Sequence, residues 1–311
     1  MNRPEADIAV QGTTLVEILR KRSELHPDRL AYVYLVDGER DELHLTFGDL
    51  ERRARGIAAR LQDLGPAGER ALLLAPPGLE YLTSFFGCLL AGVIPVPLYP
   101  PRLNQSLARI RAVARDAAPA YVMVTEDVAA RADRILPEAP EIAERSWLVV
   151  DRIPPAASEG WRAPAIDADS IALLQYTSGS TGAPRGVMVR HQNLVHNARA
   201  LALRFEHDET SCIVSWLPLH HDMGLIGNVV QSLYAGIPCV LLSPMHFLEK
   251  PRRWLDAISR HRATTSGGPN FAYELCVEKI RDVEASRLDL RTWSNAFNGA
   301  EPVRSQTLNG S

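Results

Sequence analysis

Four hydroxyl residues and three glycines are interleaved in Thr177-Ser178-Gly179-Ser180-Thr181-Gly182-Ala183-Pro184-Arg185-Gly186. Glycine lets a backbone approach a ligand closely, and successive N–H groups in such turns form a concave anion site. The Ser and Thr hydroxyls add donors, and Arg185 adds a forked cation suited to phosphate. Phosphate binding is the chemistry this composition suits, although a flexible linker has a similar make-up. The Pro184-Arg185-Gly186 exit, directly before an apolar run, speaks against a linker. Two other phosphate loops do not fit: the P-loop order of Gly-Lys-Ser/Thr opening a helix is missing, and so is G-x-G-x-x-G. Gly179-Ser180-Thr181-Gly182 also lacks nucleophile-elbow spacing, which makes a hydrolase triad built on Ser178 or Ser180 improbable.

Three further segments carry polar or small residues just after strand-like runs, where α/β folds place ligand sites. The first is Trp216-Leu217-Pro218-Leu219-His220-His221-Asp222-Met223-Gly224-Leu225. Its His-His-Asp run suggests a metal, but adjacent histidines on a turn usually point apart, and no third ligand is spaced to complete a tetrahedron. No metal ligand is assigned. Asp222 also suits a simple helix cap before Met223. The second is Ser266-Gly267-Gly268-Pro269-Asn270-Phe271, expected as a glycine turn between strand and helix. The third is Asn298-Gly299-Ala300-Glu301-Pro302, whose small residues let a flat ring lie against backbone, and whose Glu-Pro also fits a helix start.

These segments need a frame. The chain has 311 residues, 46% hydrophobic and 23% charged, which is an ordinary globular composition. The net charge of −3 and the lack of a long basic run argue against nucleic acid as the main partner. Cys88, Cys212, Cys239 and Cys276 are far apart, which fits neither a zinc site nor a disulfide framework and suits a reducing cytoplasm. The apolar stretch from Phe85 to Leu98 is interrupted by Gly and Pro and is too short for a membrane span, and no secretion signal opens the chain.

Periodicity predicts helices over Thr14–Leu25, Phe47–Leu64, Leu79–Ala91, Leu103–Asp116, Val128–Leu136, His191–Phe205, Met223–Ala235, Pro251–His261 and Asn270–Ile280. Short apolar runs predict strands at Ala31–Val36, Leu43–Thr46, Ala71–Leu74, Ile94–Pro97, Tyr121–Thr125, Trp147–Val150, Ser170–Leu174, Val187–Val189, Ile213–Ser215, Cys239–Leu242, Ala263–Ser266 and Thr292–Phe297. Asp37-Gly38 marks a hairpin between the first two. This alternation predicts an α/β fold with mostly parallel, doubly wound sheets in two similar layers. The Pro- and Ala-rich stretch 154–164 is the expected internal boundary, dividing a first subdomain, 1–165, from a second, 166–311.

The loop from Tyr176 to Gly186 closely resembles the signature of the adenylate-forming superfamily: acyl-CoA synthetases, luciferases and peptide-synthetase adenylation domains. Val96-Pro97-Leu98-Tyr99-Pro100-Pro101-Arg102, Trp216 to Gly227, Gly267 to Phe271 and Asn298 to Pro302 resemble its fatty-acyl-AMP ligase branch, in the family's order, over nearly the whole chain from about Thr13. The resemblance implies two stacked sheets flanked by helices and a cleft where ATP and a carboxylate meet. There a fatty acid is activated to acyl-adenylate and passed to the phosphopantetheine of an acyl carrier protein. It also implies site roles. Thr177, Ser178, Gly179, Ser180, Thr181 and Gly182 would hold the β- and γ-phosphates, with Arg185 where the family usually has Lys. His221 and Asp222 would lie near the carboxylate. Met223, Ile226 and Gly227 would begin an acyl tunnel walled by Gly268, Pro269 and Asn270. Asn298, Gly299, Ala300 and Glu301 would lie beside the adenine.

In the family a Glu for Mg2+, an Asp for the ribose and a Lys on a small C-terminal lid domain lie beyond the position matching Ser311. A chain without them is expected to be inactive alone. Coenzyme A ligase, amino-acid-adenylating domain and non-catalytic acyl- or nucleotide-binding module remain as alternatives on the same fold.

Overall fold

The computed structural model describes residues 12–101, 106–178, 184–305 and 307. Twelve strands occur among them, in chain order: β1 Leu30–Leu35, β2 Glu42–Thr46, β3 Arg70–Leu73, β4 Ile94–Pro97, β5 Tyr121–Val124, β6 Ser146–Val149, β7 Ile171–Ser178, β8 Pro184–Arg190, β9 Ile213–Ser215, β10 Cys239–Leu242, β11 Thr265–Gly268 and β12 Asn295–Asn298. They belong to two compact units. One combines Phe47–His196 with the described residues before Arg29; the other combines Arg29–Thr46 with the described residues from Asn197 on.

In the unit built on Phe47–His196, β4-β3-β5-β6 form an all-parallel sheet, and β7 and β8 a separate antiparallel pair. Leu15–Leu25 is helical because Thr14 and Glu17 close a capping box and Leu15, Ile18 and Leu19 bury one stripe. The helices Phe47–Leu64 and Leu79–Ala91 have the predicted bounds. Val128–Leu136 is not one helix. It divides into Glu126–Ala129 and Ala132–Ile135, since Arg131 leaves helical geometry at φ −104° and its guanidinium donates to Asp127 O at 2.8 Å.

The stretch 154–164 is no linker. Pro155–Gly160 forms a 3-10 helix against Phe47–Leu64, and Gln62 makes two hydrogen bonds to the Arg162 backbone, at 2.7 and 3.0 Å. Trp161 Nε1 donates to Leu90 O at 2.8 Å while the Arg55 guanidinium lies 4.4 Å from its ring. Proline content signalled a break here; the contacts of Gln62 with Arg162 and of Trp161 with Leu90 and Arg55 make it a packed strap.

The other unit holds a six-stranded sheet, β12-β11-β9-β10-β1-β2, parallel except for the β1–β2 hairpin. Tyr32 pairs with Cys239, so the early hairpin completes a sheet made of much later strands. This moves the division between units away from residue 165 and gives Arg29–Thr46 to the later unit. Its core gathers Val214, Trp216, Val240, Phe247, Trp254 and Ala272. Phe247 comes from a helix missed by periodicity, Pro244–Glu249, although Ser243 caps it through Met245 N and Pro244 occupies its first turn. All four cysteines are unbonded and buried. Among the described residues no helix is long and apolar enough to cross a membrane.

Candidate functional site

The polar segments of the six-stranded unit leave the carboxyl ends of three strands, β9, β11 and β12, that are neighbours in the sheet. Ser266 to Gly268 is strand, not turn, in register with Ala296 to Asn298. The shift follows from size. A methyl at Gly267 would meet Phe297 O at 2.1 Å, and one at Gly268 would meet the Trp216 indole at 2.7 Å. Without side chains the strand admits both neighbours and buries all four of its residues.

Asn270 then opens the helix Asn270–Lys279 and ties the next segment down. Fully buried, it donates to Pro302 O at 2.9 Å and accepts from Asn298 Nδ2 at 2.9 Å and Arg304 N at 3.2 Å. Its amide is thereby engaged in holding the Asn298–Pro302 segment. Gly299 N donates to Gly268 O at 3.4 Å, and Ala300 adopts a left-handed φ of 68°. Asn298 Oδ1 is buried without a hydrogen-bond partner among the described residues. An acceptor left open beside a small-residue turn is what a flat heterocycle with an amino group could use.

The segment after β9 turns at Pro218, whose carbonyl accepts from His221 N at 3.1 Å. The His220 and His221 rings lie 4.4 Å apart at 42°, facing each other rather than pointing apart as expected. Asp222 is exposed and His221 half-buried. Asp222 is the first residue of the helix rather than its cap, which is His221 without a side-chain cap bond, and Asp222 Oδ1 accepts from the adjacent Met223 N at 2.8 Å. Met223 Cε lies 3.8 Å from where a Gly299 methyl would stand, so two segments far apart in sequence meet here. The predicted helix Met223–Ala235 is interrupted: Asp222–Gly224 is α, Leu225–Val230 is π-helical and Gln231–Ala235 is α again. Ile226 and Gly227 lie in the wide turn, and outside its own helix backbone a methyl on Gly227 would meet no atom within 4 Å among the described residues. Trp216 stacks on Phe247 at 4.0 Å with Phe271 edge-on at 5.9 Å, forming an apolar wall the sequence did not single out.

In the other unit, the phosphate-type segment is the β7–β8 hairpin. Its strands are longer than predicted and take in Thr177 and Ser178, with Thr177 opposite Arg185. Gly179, Ser180, Thr181 and Gly182 lie outside the described residues. Thr177 and Arg185 are exposed. Tyr176 faces Gly186 across the pair, and its ring would lie 2.9 Å from a methyl there. Tyr176 OH donates to Asp116 Oδ2, and Arg109 donates to Tyr176 O at 3.1 Å. Burial, then the hydrogen bond to Asp116, pushes the phenol well above its ordinary value and keeps it neutral. This anchor for the loop carried no sequence signal, because Asp116 sits on a helix distant in the chain.

Among the described residues no three His, Cys, Asp or Glu side chains converge on a point that could hold a metal.

Residues 19–309 match the family described as AMP-binding enzyme. The chain is 41% identical to a medium-chain-fatty-acid–[acyl-carrier-protein] ligase of Moorena producens, over 99% of this chain and 52% of that protein. It is 33% identical to a ligase of the same description from Teredinibacter turnerae, over 97% of this chain and 53% of that protein. The solved fatty acyl-adenylate ligase from L. pneumophila, in complex with acyl adenylate and pyrophosphate, superposes with a TM-score of 0.89 at 39% identity, covering 97% of this chain and 52% of that one. The chain thus spans about half the length of the relatives it matches.

Proposed function

The chain belongs to the AMP-binding enzyme family, and on that premise we propose that it is part of a ligase that activates a fatty acid with ATP for transfer to an acyl carrier protein. The observation that carries this reading is the meeting of Met223 with Gly299, beside the open Asn298 acceptor and the empty space at Gly227. The segment proposed for the acyl tail and the small-residue turn proposed for the adenine thereby adjoin within one unit.

ATP supplies an electrophilic α-phosphorus. A carboxylate oxygen bonds to it, the bond to the bridging oxygen of pyrophosphate breaks, and acyl-adenylate results. The residues of this chain serve that exchange by position. Asn298 and the Gly299-Ala300 backbone receive the adenine, and Asn270 holds them in place. His221, with Asp222, orients the carboxylate. Met223, Ile226 and Gly227 receive the tail, with Gly268 and Pro269 opposite. Thr177, Ser178, Gly179, Ser180, Thr181 and Gly182 offer fixed donors to the departing phosphates, which stabilise developing charge without reorganisation. Arg185 adds a bidentate cation where the resembling loops carry lysine. Mg2+ would be held chiefly by phosphate oxygens and water with one or two carboxylates; no described residue is assigned to it, and no step is routed through it.

Calorimetry with a nonhydrolysable medium-chain acyl-sulfamoyl adenosine tests the site; saturable binding is expected, and no heat at about 1 mM ligand would overturn the reading. In a longer protein carrying this chain, fatty-acid-dependent exchange of pyrophosphate into ATP tests the chemistry. Offering phosphopantetheinylated carrier protein beside coenzyme A then tests the acceptor, with transfer to the carrier expected.

A further inference from the structure

The helix that bears Met223 contains a six-residue π turn, Leu225–Val230. Such turns are rare because they pack poorly around their own axis, and they persist where something holds them. Two side chains do so here. Asn228 Nδ2 donates to Met223 O at 2.7 Å, reaching back five residues, the hydrogen-bond span of a π turn. Tyr32 OH, on β1, donates to Val229 O at 2.8 Å, and Ser232 Oγ donates to the same carbonyl at 3.0 Å. Asn228 and Tyr32 are fully buried, and both bonds end on backbone carbonyls at or beside the wide turn.

The far half of the helix is fixed independently. With its amide turned so that Oε1 faces His207, Gln231 accepts from His207 Nδ1 at 3.1 Å and donates to Ala198 O at 3.0 Å. Closing the π turn to an ordinary α turn removes one residue of register, which is a rotation of about 100°. Because Gln231 to Tyr234 are buried and held, the front half would swing. Met223 would leave Gly299, and the space beside Gly227 would be lost.

We propose that Asn228 and Tyr32 are positioning residues for the acyl tail: they hold the π turn that aims Met223 at Gly299 and keeps the space at Gly227 open. This rests on the acyl-activating reading of the same site.

Two variants separate the parts. Tyr32→Phe keeps the ring and deletes one hydroxyl; Asn228→Leu keeps the volume and deletes the amide. Each is titrated with adenosine sulfamate, which has no tail, and with a medium-chain acyl-sulfamoyl adenosine. The expected result is an affinity for the tail-free probe within about twofold of the unaltered chain, a loss of about tenfold in the gain the tail confers for Asn228→Leu, the scale of one lost buried partner, and a smaller loss of about threefold for Tyr32→Phe, where Ser232 Oγ still donates to Val229 O. An unchanged tail gain in either folded variant overturns the proposal. Crystal structures give the second readout: a turn no longer π-helical supports it, and Leu225–Val230 still π-helical in both variants overturns it whatever the titrations show. If Asn228→Leu does not fold, Tyr32→Phe decides. Failure of the unaltered chain to bind even the tail-free probe would break the nucleotide reading, and the crystal structures would still decide this one.

Discussion

The corner formed by β11 and β12 and the β7–β8 hairpin both hold small and polar residues proposed to touch nucleotide, yet they are built in opposite ways. In the corner, Gly267 and Gly268 sit under Phe297 and Trp216, and buried Asn270 cross-links the turn by three hydrogen bonds. In the hairpin, Arg185 to Met188 are all exposed, and Met188 keeps 67% of its surface in water. The corner has its shape fixed by packing before any ligand arrives. The hairpin presents charge and donors on the β8 side of a two-stranded ribbon whose β7 side is buried at Ala172, Leu173, Gln175 and Tyr176. Rings and chains are recognised by preformed walls, whereas phosphates are recognised by directed donors that water can also reach.

The sharpest test of this contrast uses one methyl in each place. Gly267→Ala meets a backbone oxygen at 2.1 Å and cannot be relieved by a side-chain turn, so a loss of about 3 kcal/mol or more is expected from urea unfolding. Gly186→Ala meets only the tip of the Tyr176 ring, at 2.9 Å, and should cost about 1 kcal/mol. Equal costs would end the distinction. Asn270→Ala comes next. It strands the Arg304 N–H and the Pro302 carbonyl, and about 2 kcal/mol should be lost together with affinity for adenosine probes.

Acid acts on both units alike and so bounds the comparison. His191 is buried with Nδ1 accepting from Leu15 N at 3.2 Å, and His207 is buried between Thr265 and Gln231. Burial lowers each imidazole to about 4. An unfolded histidine titrates near 6.5, so between these values the unfolded chain binds more protons and stability rises with pH. The contribution is complete above about 6.5 and fades as pH falls toward about 4. From pH 7 to pH 5 each histidine should cost about 2 kcal/mol, read as a falling urea midpoint. His207→Gln should flatten roughly half of that slope; an unchanged slope would remove His207 as its source. The smallest effect belongs to the hairpin: Arg185→Gln should alter stability by less than about 0.5 kcal/mol, while affinity for pyrophosphate falls about tenfold at low salt and less at high salt.

Much of this was legible locally. The Thr14–Glu17 capping box, the stripes of Phe47–Leu64 and Leu79–Ala91, and the strand Cys239–Leu242 follow from neighbours in sequence, because caps and periodicity act within a few residues. The motif segments at Thr177, Trp216, Gly267 and Asn298 stood out for a similar reason: their small and polar residue types and short spacings are read directly from the sequence. Composition misled where packing overruled it. Proline suggested a boundary at 154–164 that the Gln62 and Trp161 hydrogen bonds pack down, and Gly267-Gly268 suggested a turn where two aromatic side chains required a bare strand.

Tertiary structure decided the rest. Only the fold makes Tyr32 a neighbour of Cys239 and Val229, brings Met223 to Gly299 and ties Tyr176 to Asp116. Residue types and short spacings determined which segments carry chemistry, since those properties belong to the chain itself. Which segments meet, and that a helix of ordinary periodicity opens into a π turn beside Met223, depend on hydrogen bonds and packing between residues far apart in sequence.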